Sequence, residues 1–252
     1  MFLPFPKNRF HKKQSLMSLL LDLRSILFPR YCAVCQSKLA TTEKHLCVMC
    51  LSTLPRTRFH QPTDNPVAEK FFEWKSFVRG IGWLHYQHAN AYSRLIQQAK
   101  YNDQPRTGQY LARQAAFEIS QKEESHDFFD NIDYIVPVPL SRKRERRRGY
   151  NQSDYIAQGL SDITHIPVST KNLRRFIHNK TQTRLSRESR RQNVEGIFRL
   201  AHPDVFRGKH ILLVDDVMTT GATLSSCIKT LEQAVPDIHV SVFVLACTRQ
   251  QT

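Results

Sequence analysis

Residues 211–223 read Ile-Leu-Leu-Val-Asp-Asp-Val-Met-Thr-Thr-Gly-Ala-Thr, and this stretch limits the possible folds more than any other. Four apolar residues bounded by polar ones suit a strand buried on both faces, as in a parallel sheet. A carboxylate pair, Asp215 and Asp216, then falls at the strand's carboxyl end, where open α/β sheets place their ligands. Small hydroxyl residues and one glycine follow, and Leu224, Cys227, Ile228 and Leu231 continue at helical spacing. That order suits a phosphate cradle. Gly221 lets the backbone approach an anion, the hydroxyls of Thr219, Thr220 and Thr223 donate to it, and the new helix turns its positive end toward it. The acidic pair beside the cradle suits the hydroxyls of a sugar whose phosphate sits there. Other strand-Asp-Asp motifs fit less well. A Walker B strand requires a Gly-x-x-x-x-Gly-Lys-[Ser/Thr] loop upstream, which the sequence lacks, and a response-regulator acidic pocket lies early in its domain.

The rest of the chain supports an α/β body. Periodicity predicts a strand near Gly80–Tyr86, helical segments near Ala91–Lys100 and Gly108–Ser120, and a strand over Asp133–Val138. A helix near Ser153–Ser161, the Ile211–Val214 strand, a helix to Ala234 and a strand over His239–Ala246 follow. Alternating strands and helices predict a parallel sheet covered on both faces, with right-handed crossovers. Residues 55–70, with Pro55, Pro62 and Pro66, read as a linker. The expected organisation is an amphipathic segment over 1–28, a cysteine module over 29–54, a linker over 55–79 and the body over 80–252.

Cys32-x-x-Cys35 and Cys47-x-x-Cys50 are separated by eleven residues. Two such knuckles place four thiolates around a tetrahedral Zn²⁺ with a closed shell, which organises structure and leaves no open position for catalysis. Disulfides suit an oxidising compartment, and a redox Cys-x-x-Cys requires one pair rather than two. Gln36 stands where many knuckles place glycine, and His45 is a candidate to replace one cysteine as ligand. Cys227 and Cys247 sit in apolar contexts and read as buried small hydrophobes.

The formal net charge is +15, and the excess is clustered. Residues 142–148 read Arg-Lys-Arg-Glu-Arg-Arg-Arg, and Lys171, Arg174, Arg175, Lys180, Arg184, Arg187, Arg190 and Arg191 follow further on. Such clusters favour polyanionic partners, either nucleic acid or a multiply phosphorylated ligand. Tyr150, Phe176 and Phe198 lie among these basic residues, read either as core or as stacking partners for bases. At the N-terminus, Asp22 and Arg24 interrupt the apolar run and no small-residue cleavage site follows, unlike a secretory signal. Leu16, Leu19, Leu20, Leu23 and Leu27 instead share one helical face. No segment approaches the roughly twenty apolar residues that span a bilayer, and the protein is expected in the cytoplasm.

The Asp215–Thr223 stretch resembles the signature of type I phosphoribosyltransferases, which bind phosphoribosyl pyrophosphate (PRPP). The resemblance implies that Asp215 and Asp216 contact the ribose hydroxyls. Thr219, Thr220, Gly221, Ala222 and Thr223 would hold the 5′-phosphate. In that family the loop after the preceding strand binds pyrophosphate, often through an unusual peptide geometry; here Val138, Pro139, Leu140, Ser141 and Arg142 occupy it. Residues 180–198 lie where that fold often carries a mobile loop over the site, and their pattern fits a plain basic helix equally well. With the paired cysteine knuckles, Arg148-Gly-Tyr-Asn-Gln-Ser153, Thr181-x-x-x-Leu185 and Arg191-x-Asn193, the chain from about Leu27 closely resembles the ComF family of competence proteins, including ComFC-like and GntX-like members. That implies natural transformation, the handling of imported single-stranded DNA, and in some bacteria a ComFA-type helicase partner. Arg144, Arg146, Arg147 and Arg148 are the expected nucleic-acid contacts. The alternative is an active phosphoribosyltransferase of nucleotide or other small-molecule metabolism, with Mg²⁺ bridging pyrophosphate and ribose oxygens. The acceptor of such a transfer does not follow from the resemblance.

Overall fold

The computed structural model describes residues 28–58, 61–87, 91–92, 95–96, 105–176 and 197–248. The amphipathic N-terminal segment and the 180–196 part of the expected mobile loop lie outside these residues. The chain divides into two compact units, Met1–Thr53 and Leu54–Thr252.

In the first unit a short helix, α1 (Val48–Ser52), begins at the second knuckle. An isolated bridge joins Tyr31 to Lys38 around the first. The Glu43 carboxylate closes the intervening loop, accepting from the Ala40 and Val48 amides at 2.7 and 2.8 Å. Those two bonds hold its pKa below the ordinary carboxylate value.

The second unit is built on a parallel sheet of strands β1 (Phe77–Tyr86), β2 (Tyr134–Pro137), β5 (His210–Met218) and β6 (His239–Thr248), in the order β1-β6-β5-β2. Around it lie α2 (Pro105–Gln121), α3 (Arg142–Arg148), α4 (Gln152–Thr164) and α5 (Ala222–Ala234). A small antiparallel pair, β3 (Leu173–Arg175) and β4 (Phe198–Leu200), stands apart from the sheet. Ile211, Leu212, Leu213 and Val214 are fully buried, as expected of a strand covered on both faces. Ile211 and Leu213 join Leu224, Cys227, Ile228 and Leu231 of α5 in one apolar cluster, together with Leu173, Phe198 and Phe206. Each fully buried aliphatic side chain contributes roughly 1.5–3 kcal/mol, so this seam anchors the turn between β5 and α5. Cys227 and Cys247 are buried in it.

From β2 the chain leaves through α4 to a parallel bridge between Val168 and Ile135, on the outer side of β2. It then returns to β5 on the inner side. Connections that depart in opposite directions open a crevice at the carboxyl ends of the two strands.

One expectation is corrected. The stretch 55–79 is not a linker but part of the second unit. Val67, Ala68 and Phe71 are fully buried, and the Asn65 side chain accepts from the Val67 and Ala68 amides while donating to the Gly80 carbonyl at 2.8 Å. Three prolines masked a segment that carries its own apolar anchors. The arginine-rich block, for which the sequence pattern assigns no element, is a helix. Ser141 caps α3 by accepting from the Arg144 amide, and Gly149, at φ +79°, ends it with its amide on the Glu145 carbonyl at 2.7 Å. Among the described residues no helix is long and apolar enough to cross a membrane.

Candidate functional site

Strand β5 runs four residues past its apolar run, so Asp215 and Asp216 lie within the sheet and not beyond it: Asp215 pairs with Val244 and Met218 with Cys247. Both acids are half-buried. The Asp215 carboxylate accepts from the Ser153 hydroxyl at 3.2 Å and from the Asp216 amide at 2.8 Å, and Asp216 accepts from the Val217 amide at 2.6 Å. These donors fix both carboxylates at the mouth of the crevice.

The turn then reverses through Gly221 at φ +81°, a left-handed conformation that costs side-chain-bearing residues about 1–2 kcal/mol. Its amide end opens α5, and a small cavity of about 40 Å³ is lined by Asp215 and by residues 217–224, which include Thr219, Thr220, Gly221, Ala222 and Thr223. Thr220 and Thr223 expose their side chains, and the Thr220 hydroxyl accepts from the Ala222 amide at 3.4 Å. A Cβ placed on Gly221 would meet Phe71 and Lys70 at 3.5–3.6 Å. Lys70 therefore borders this turn, a placement that 150 residues of separation hid from the sequence pattern.

The loop after β2 emerges beside it. Pro137 pairs with Val214, and the Val138 amide continues the ladder onto the Val214 carbonyl at 2.9 Å. Val138 is buried, Pro139, Leu140 and Ser141 are half-buried, and the Arg142 side chain lies outside the described residues. There is no cis peptide bond among the described residues, so the unusual peptide geometry implied by the resemblance is not seen here.

The start of α4 joins the two loops. Asn151 donates to the Val138 carbonyl at 3.1 Å and to the Asp154 carboxylate at 2.7 Å, while Ser153 reaches Asp215. Both are more than nine-tenths buried. Arg148 donates to the Gln152 side chain at 2.8 Å, whereas Arg144, Arg146 and Arg147 face solvent. Of the four expected nucleic-acid contacts, three are thus displayed and one is turned back to the helix start.

Arg175 was visible in the sequence only as one charge among many. Its guanidinium lies 5.4 Å over the Phe198 ring. Burial, then the Arg144 charge, holds its pKa below the ordinary value, with Cys227 and Asp215 acting the other way. Phe198 is core, Phe176 is 39% exposed beneath the Arg199 guanidinium, and Tyr150 stacks edge-on against Tyr155.

In the first unit, the sulfurs of Cys32, Cys35, Cys47 and Cys50 all lie within 4.8 Å of one another and form a group able to hold a metal ion. Cys35 and Cys47 sulfurs are 3.7 Å apart. Gln36 adopts φ +62°, the conformation for which knuckles usually use glycine. His45 is outside the cluster, which Cys50 completes.

With a parallel sheet, a crevice at the β2/β5 switch and an acid pair running into a threonine–glycine turn, the chain belongs to the phosphoribosyl transferase domain family, whose description matches residues 106–251. Its relatives include proteins named for competence and for DNA utilization. It is 35% identical over 215 residues to Competence protein F of Haemophilus influenzae, covering 84% of this chain and 83% of that one. It is 34% identical over 200 residues to the DNA utilization protein YhgH of Escherichia coli O157:H7, covering 79% and 83%. Competence protein ComFC of Bacillus subtilis is 27% identical over 225 residues, covering 86% and 83%. Among solved structures, a glutamine PRPP amidotransferase from B. subtilis matches with 19% identity and a TM-score of 0.40, covering 60% of this chain and 30% of that one.

Proposed function

We propose that this protein acts in the cytoplasm on imported single-stranded DNA during natural transformation, with a PRPP-type ligand bound at the carboxyl ends of β2 and β5. The observation that carries the reading is the bracing of two loops by one helix start. Asn151 holds the Val138 carbonyl of the loop after β2, and two residues on Ser153 holds Asp215. A ligand with a sugar phosphate at one end and pyrophosphate at the other requires such a pair of coordinated loops. In this assignment Asp215 and Asp216 orient the ribose, residues 219–223 hold its 5′-phosphate, and residues 138–142 face pyrophosphate with Mg²⁺ accompanying it. Arg144, Arg146 and Arg147 offer an exposed basic surface to DNA phosphates, and the names of the relatives support the DNA role. A ComFA-type helicase is the partner this reading expects.

The four-cysteine cluster is assigned to a structural Zn²⁺. Zn–S bonds of about 2.3 Å place tetrahedral sulfurs about 3.8 Å apart, which the 3.7 Å Cys35–Cys47 separation matches.

Calorimetry with PRPP and Mg²⁺ tests the ligand site. The double variant Asp215→Ala/Asp216→Ala is expected to lose binding, and undiminished binding in that variant would remove the site. A second reading, turnover, follows from the same bracing: a nucleophile would attack the anomeric carbon as the C–O bond to pyrophosphate breaks. Pyrophosphate release on adding candidate bases or oligonucleotides decides it.

A further inference from the structure

A second cavity, of about 270 Å³, lies on the outer side of the β2 loop and shares no lining residue with the turn after β5. One wall is formed by α3 and the start of α4, with Glu145, Asn151 and Asp154; the other is formed by the β3 segment, with Lys171, Arg174, Arg175 and Phe176. Pro139 and Leu140 also line it.

Its charges are segregated. Among the described residues no ion pair joins the acids of one wall to the cations of the other. Burial, the largest effect, and the nearby Glu145 charge raise the Asp154 pKa to about 6, against the bond from Asn151. The Asn151 amide nitrogen is committed to Val138 and Asp154, while its side-chain oxygen is buried with no partner among the described residues. A buried acceptor without a donor is unfavourable, and a ligand N–H would relieve it. Pyrophosphate fails this wall, since two carboxyls and an amide oxygen repel an anion. A purely cationic ligand fails the other. The ligand must carry N–H donors at one end, a flat apolar middle and an anion at the far end.

We propose that this cavity takes one nucleotide, its base edge donating to Asn151 and Asp154, its ring against Phe176, and its phosphate on Lys171 and Arg174. The proposal rests on the DNA reading above and deepens it by giving the strand a base-sensing position. The volume is near the lower bound for ligand pockets, enough for one base and too small for two. Stacking on an aromatic ring contributes about 1–3 kcal/mol per base, so removing Phe176 should weaken binding on the order of 5- to 150-fold. A free nucleotide and a nucleotide within a strand present the same groups, and the test separates them.

Titrations of the full-length, zinc-loaded protein would use three probes: deoxynucleoside 5′-monophosphates, a mixed-sequence single-stranded 12-mer, and an abasic 12-mer with the same phosphates. The wild type should prefer the base-bearing strand about tenfold or more over the abasic one, and Phe176→Ala and Asp154→Asn should each erase most of that preference. Phe176→Ala should keep the wild-type melting temperature and PRPP affinity. Binding of monophosphates that both variants weaken would support the cavity and identify free nucleotide as a source. Binding of the base-bearing strand alone would support it with DNA as the source. Equal affinity for base-bearing and abasic strands, without monophosphate binding, would overturn the cavity while leaving DNA binding intact. A base preference or monophosphate affinity unchanged in both variants would also overturn it. Failure of both strands and of every monophosphate to bind would overturn the cavity and the DNA reading together.

Discussion

At the scale of single residues, the hydroxyl of Ser153 decides which way the Asp215 carboxylate faces, since it and the Asp216 amide reach the same oxygen. A net hydrogen bond contributes about 0.5–1.5 kcal/mol, so Ser153→Ala should weaken PRPP binding roughly 2- to 10-fold. Ser153→Thr, which retains the hydroxyl, should recover it. Calorimetry checks the prediction, and equal affinities for all three proteins would show that the carboxylate is oriented without Ser153. The acid pair and the residues after it were legible in the sequence because strand, turn glycine and hydroxyls are contiguous. Ser153, Lys70 and Arg175 were not assigned to the site. Their relation to Asp215 or Gly221 exists only after the sheet and the β3–β4 pair bring distant segments together, and no local spacing encodes that.

Among elements, the contact between α2 and α4 is the tightest test of packing. A Cβ on Gly159 would lie 2.3 Å from the Gln109 carbonyl oxygen and 2.8 Å from Ala112 Cβ. Alanine gains up to about 1 kcal/mol over glycine from helix propensity, but overpacking against backbone costs about 1–3 kcal/mol, so the clash wins. Gly159→Ala should lower the urea midpoint, at a net stability cost of up to about 2 kcal/mol; an unchanged midpoint would mean that the helices separate freely. Because α4 also carries Asn151 and Ser153, a shift of this helix would reach both loops of the site. The elements themselves were largely readable. Strand β5 announced itself by four apolar residues, and α5 by its helical spacing. Helix α3 was missed because seven residues bearing six like charges look solvated, although Ser141 and Gly149 mark its two ends.

Across the whole molecule, the chain divides at Thr53, between the cysteine cluster and the α/β body. Purified protein is expected to hold one zinc per chain by atomic emission, and Cys32→Ser to lose it; well under one zinc in the wild type would sink the assignment. Chelation should open residues 29–53 to protease while a fragment beginning near Leu54 persists, because four thiolates left without an ion cannot replace the bonds that ordered them. Simultaneous loss of both regions would show that they do not fold separately. The cysteine spacing was legible as a metal site without the fold, whereas residues 55–79 read as a connector because prolines and polar residues outnumber the anchors Val67, Ala68 and Phe71. The direct pairing of β2 with β5 has one more consequence. Adjacent strands stand about 4.8 Å apart; the loop after β2 leaves at the paired level of Val138 and Val214, and the turn after β5 leaves at Met218, still held by β6. Their spacing is set by main-chain geometry, so side-chain replacements alter how tightly a ligand is held without resetting the span it must bridge. In the proposed PRPP-type site the sheet would serve as a ruler, favouring ligands whose two anionic ends match that span.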